Sequence, residues 1–124
     1  MKIKTNHILV LFVLMFFCIS VFANAHLPIR KGQPLSKARK ALITKSWKPY
    51  PVYDMVKNPK EVSMMAREYI KAGYIEVSNC GASNPDCSFN YRKGKKCLQV
   101  IAGSYEAPVN ETTVTGWTNE CEEP

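Results

Sequence analysis

Histidine is scarce: the 124-residue chain holds two, and only His26 lies beyond the first stretch of apolar residues. A serine or cysteine nucleophile needs a nearby base, most often histidine, and one histidine on a proline-containing arm does not provide it. A copper site built on an N-terminal histidine fails for the same reason, because a second histidine is missing. Thiols at CxxC-like spacing are absent, which argues against a structural zinc site. No glycine-rich phosphate loop, internal repeat or low-complexity tract occurs, and no nucleic-acid recognition motif is present. Paired carboxylates of the glycosidase kind have candidates in Glu76, Asp86, Glu106, Glu111, Glu120, Glu122 and Glu123. Only Glu76 falls in a clear strand pattern, where alternation turns it away from Ile75 and Val77 as a solvating acid. These absences predict a non-catalytic protein with no cofactor and no metal.

The N-terminus carries an address. Lys2 and Lys4 precede an apolar run from Ile8 to Phe22, broken only by Cys18 and Ser20, and Ala23-Asn24-Ala25 supplies the small-x-small pattern of a signal peptidase site. The run is shorter than the roughly 20 apolar residues of a membrane-spanning helix; a retained N-terminal anchor is the alternative. Bulky Phe16-Phe17 before Cys18 argue against lipidation. The expectation is an exported protein, periplasmic or secreted, with a signal peptide over 1–25, an extended arm over 26–34 and one domain over 35–124. No transmembrane segment is expected after cleavage.

Cleavage after Ala25 leaves 99 residues (124 − 25) and four of the five cysteines. A domain of that size buries a limited share of its surface and gains from covalent ties. Cys80, Cys87, Cys97 and Cys121 permit three pairings. The favoured one joins Cys80 to Cys87 across a loop between strands, with Cys97–Cys121 tying down the C-terminus. Charge is uneven. Residues 26–71 hold eleven Lys and Arg against three acids, and residues 72–124 hold four against seven. A basic N-terminal half of this kind attracts acidic proteins, lipid headgroups or anionic wall polymers.

Local patterns give an α+β order. Ser36 is placed to cap a first helix carrying Ala38, Ala41 and Leu42 on one side, ending near Trp47 because Lys48 precedes a proline. Pro49-Tyr50-Pro51 reads as a stiff connector. Asn58, Pro59 and Glu61 form a helix-start signature. Val62, Met65, Ala66, Tyr69 and Ile70 then make one apolar stripe, and Gly73 marks the end. Alternation follows: Ile75 and Val77, then Cys87, Phe89 and Tyr91, a Lys93-Gly94 turn, Cys97 to Ala102, and Thr112 to Thr118. The expected fold is two N-terminal helices packed on a four-stranded antiparallel meander, stapled by two disulfides.

Lys45, Trp47, Lys48, Tyr50 and Tyr53 crowd aromatics and cations into one connector, the composition of a partner-binding surface. The plainer alternative makes Trp47 a lid over the helix–sheet core. The expected partner is a protein with an acidic surface or an anionic envelope polymer, with no role for nucleic acid.

Gly32, Ala38-Arg39, Leu42, Trp47-Lys48-Pro49 and Glu76-Val77 leading to Cys80 spell G-x-x-x-x-x-A-R-x-x-L … W-x-P … E-V-x-x-C. This pattern resembles a group of small uncharacterised secreted bacterial proteins and covers most of the chain beyond residue 25. The resemblance implies a bacterial envelope address and no activity. More loosely, the order of elements is similar to the fold of the β-lactamase-inhibitor protein and the small outer-membrane assembly lipoproteins, which implies a binding module.

Overall fold

A computed structural model describes residues 26–53, 60, 62–81, 84–103 and 108–121. The signal segment, the Asn58-Pro59-Glu61 signature and the acids Glu106, Glu122 and Glu123 lie outside the described residues.

Two helices, α1 (Leu35–Thr44) and α2 (Met64–Lys71), accompany an antiparallel sheet of five strands. These are β1 (Lys48–Pro49), β2 (Val77–Cys80), β3 (Asp86–Lys93), β4 (Lys96–Gly103) and β5 (Thr113–Thr118). Strands β2 to β5 form the expected meander, and β1 adds a fifth strand beside β3, sharing that edge with β2. The stretch read as a stiff connector therefore begins as strand, at Lys48–Pro49. Pro49 lacks a donor and survives on an edge, while Tyr50 N–H continues the ladder to the Asn90 carbonyl at 2.8 Å. Both favoured disulfides are formed, Cys80–Cys87 and Cys97–Cys121.

Alternation in the central strands sets the core. Cys87, Phe89 and Tyr91 of β3 stand opposite Ala102, Val100 and Leu98 of β4, and all six are buried. Leu35, Ala38 and Leu42 of α1 and Ala66 and Tyr69 of α2 cover that face. Truncating a fully buried leucine such as Leu42 to alanine costs about 2–5 kcal/mol in such cores. Tyr69, Tyr74 and Phe89 meet edge-to-face with centroids 5.0–6.0 Å apart. Ile29 is also buried, so the arm takes part in the core.

Both helix starts differ from expectation. Pro34, not Ser36, occupies the cap position of α1 and makes no side-chain cap bond; the Leu35 N–H is satisfied instead by the Thr112 carbonyl at 2.8 Å. Helix α2 begins after Ser63, whose hydroxyl accepts from Ala66 N–H at 3.2 Å. That shorter helix leaves Met65 of the predicted stripe exposed.

The two helix ends share one geometry. At α1, Trp47 N–H reaches back to the Leu42 carbonyl and Ser46 N–H to that of Ile43, both at 3.0 Å. At α2, Tyr74 N–H reaches the Tyr69 carbonyl at 2.9 Å and Gly73 N–H that of Ile70 at 3.0 Å. This is the Schellman arrangement, which needs one residue in left-handed conformation. Gly73 fills it at φ +95° and Ser46 at φ +68°. Each end then lays an aromatic ring, Trp47 or Tyr74, against the body of the domain.

Candidate anion-binding cleft

The Gly73 end leads into a closed ion pair. Ile75 and Glu76 sit in the turn before β2, not in its alternation, which overturns the expected facing: Ile75 is 48 % exposed and Glu76 fully buried. Glu76 Oε1 accepts from Arg39 Nε at 2.6 Å and from the Tyr91 hydroxyl at 2.9 Å, and Oε2 accepts from Arg39 Nη2 at 3.3 Å. Arg39 Nη2 also donates to the Gly73 carbonyl at 3.2 Å, and its guanidinium lies 5.4 Å from the Tyr74 ring centroid. One α1 cation thus fastens the end of α2, the start of β2 and the middle of β3. The hydrogen bond to Glu76 pushes the Arg39 pKa up, against the opposing effect of burial. Burial pushes the Tyr91 phenol far above its ordinary value, with the Glu76 carboxylate adding to it. A groove of about 290 Å³ between Arg39, Ile43 and Tyr74 opens above the pair, but Glu76 already uses the arginine's charge.

The Ser46 end is open. A cleft of about 850 Å³ lies between the C-terminus of α1, the β3–β4 turn and the start of the described chain. Four lysines face it: Lys45 just past α1, and Lys93, Lys95 and Lys96 around the hairpin tip. Its apolar lining comes from Leu27, Pro28 and Trp47, and His26, Cys97 and Asn119 complete it. Among the described residues no acid lines the cleft, and none of the four lysines forms an ion pair. The hairpin packs its charges this tightly because Lys93 and Lys96 are cross-strand partners. Between them is a two-residue turn led by Gly94 at φ +60°, the place a type II′ turn gives to glycine.

Two of the five predicted partner-binding residues belong to the cleft. Lys45 and Trp47 line the cleft, with Trp47 buried to 9 % exposure. Lys48 is exposed on β1, directly opposite Arg92. Tyr50 lies under the Arg92 guanidinium, 4.3 Å from its ring centroid, and Tyr53 packs half-buried against the core. The three hairpin lysines were missed because they sit in the half of the sequence with net negative charge. Four cations in the five residues Arg92 to Lys96, at a predicted turn, were the signal available.

The geometry defines a small α+β disulfide protein with a buried ion pair at one helix end and an uncompensated lysine cleft at the other. No family model, curated protein or solved structure matches the chain. Among the described residues no helix is long and apolar enough to cross a membrane.

Proposed function

We propose that this is an exported, non-catalytic binding module, periplasmic or secreted, whose lysine-lined cleft receives a partner protein through an acidic surface. Membership in a group of small secreted bacterial envelope proteins belongs to the same proposal. The observation that carries it is the concentration of four lysines around one concavity with no acid among its described lining residues. Such a site holds a positive potential that an acidic partner satisfies, and low-dielectric walls focus it. The two disulfides suit an oxidising compartment, in keeping with the leader-like N-terminus.

A second reading, a binder of anionic wall polymer or lipid headgroups, draws on one further observation. Lys48, exposed on β1, carries positive charge beyond the hairpin and out of the cleft, as a track would require.

The test immobilises the oxidised protein and its Lys45/Lys93/Lys95/Lys96 tetra-alanine variant and passes envelope extract over both. The expected outcome is one acidic protein retained by the parent alone and released as salt rises, since screening shortens to about 8 Å at physiological strength. Equal retention by the variant sinks the cleft as the contact surface. Retention of polymer or lipid without protein favours the second reading.

A further inference from the structure

The cleft is more than a patch of charge, and its composition restricts what fits. At about 850 Å³ it lies toward the upper end of the roughly 300–1,000 Å³ range of ligand sites. A single phosphate or carboxylate would leave most of it filled with water. Its cations are all lysines, compact charges without the planar fork that pairs with phosphate in a bidentate way. They also come from two separate elements, Lys45 from the end of α1 and the other three from the β3–β4 hairpin. The same lining includes Leu27, Pro28 and Trp47, apolar surface that a purely anionic polymer leaves wet.

We infer that the cleft binds an extended acidic peptide segment bearing apolar side chains, its carboxylates against the lysines of both elements and an apolar group over Leu27 and Trp47. This rests on the reading of the cleft as the binding site and names its ligand. Covering that apolar surface adds about 25 cal/mol for each Å² removed from water. Exposed lysine charge alone supplies a long-range attraction that salt screens and that any acidic segment of similar charge satisfies. Selectivity for a mixed acidic and apolar segment over a purely acidic one is therefore the signature.

The experiment titrates the oxidised protein with three probes: a blocked hexapeptide of four Glu and two Leu, blocked tetraglutamate, and inorganic tetraphosphate. Calorimetry reads affinity, and fluorescence of a Trp117→Phe variant reports Trp47 alone, since the chain has two tryptophans. The hexapeptide is expected to bind at least about ten-fold tighter than tetraglutamate, the scale of a 1.4 kcal/mol difference, and to shift the Trp47 emission. Lys93/Lys95/Lys96 triple alanine should weaken both peptides. Leu27→Ser should erase the preference while leaving tetraglutamate unchanged, which separates loss of the apolar surface from loss of the fold. Equal affinity for the two peptides, or tighter binding of tetraphosphate, overturns the ligand class and leaves an anion-binding cleft standing. Failure of all three probes overturns the cleft and the inference together.

Discussion

The two helix ends are built alike and used differently. Each closes with the same pair of backward hydrogen bonds, and each places an aromatic residue immediately after the left-handed position. At the α2 end, Tyr74 flanks an arginine whose charge is fully matched by a buried carboxylate. At the α1 end, Trp47 lines a cleft whose four lysines face no acid among the described residues. Net charge does not distinguish these regions; compensation does. Arg39 is committed to holding elements together, whereas the lysines leave their attraction available to something outside the chain.

Breaking the closed end should have the largest effect. Arg39→Ala leaves Glu76 buried with only the Tyr91 hydroxyl, and removing one partner of such a pair costs about 3–5 kcal/mol. Urea unfolding should register that loss as a lower midpoint with little change in slope. Glu76→Gln keeps the shape and leaves its charge on Arg39, which reaches solvent, so its cost should be smaller. If the two variants lose equally, burial of the carboxylate is not what makes the pair expensive.

High pH sharpens the contrast next. Tyr91 resists ionisation in the folded state, while in the unfolded chain it loses its proton near the ordinary value of 10. The folded state then holds more protons than the unfolded one. Stability is intact below about pH 10 and declines above it, by about 1.4 kcal/mol per pH unit for one such group. Tyr91→Phe should flatten that decline in a pH series of thermal melts, while lowering stability near neutrality through loss of the bond to Glu76.

Smaller effects are expected at the open end. Ser46→Gly relieves a left-handed conformation that a Cβ disfavours and should raise stability by about 0.5–1 kcal/mol. The same swap in reverse, Gly73→Ser, should lower it. Replacing Lys45, Lys93, Lys95 and Lys96 by alanine should change stability by no more than about 0.5 kcal/mol, as exposed positions do. A large loss there would mean that the lysines are structural and the two ends are not different in kind.

What could be read from sequence follows from how local each cause is. Strands β3, β4 and β5, the Gly94 turn, the Gly73 terminus and both disulfides were legible because residue type and spacing act over a few positions. Strand β1 was not, since two residues including a proline become strand only by lying against β3. The start of α1 depends on the Thr112 carbonyl, which accepts from Leu35 N–H and lies far along the chain. Glu76 was misread because the alternation was extended back through a turn, and its burial makes sense only with Arg39, 37 residues earlier. The family-like pattern includes both of these residues, together with Gly32, Ala38, Leu42, Trp47 and Cys80, all of which serve the architecture. None of the hairpin lysines belongs to it, so the candidate site had to come from the structure.

The arm has one more consequence. Gly32 N–H donates to the Val114 carbonyl at 2.7 Å, Val114 N–H donates to that of Gln33 at 2.8 Å, and Pro34 bridges Thr113. Those contacts cover the outer peptide groups at the start of β5, the last strand of the sheet. Among the described residues, nothing further covers Thr115 to Thr118, a run with no charge and no proline to discourage another strand. Loss of the arm would lengthen the uncovered run from four residues to six and offer a neighbouring strand more peptide groups to pair with, so residues that look like a loose leader to the domain shield the edge of its sheet.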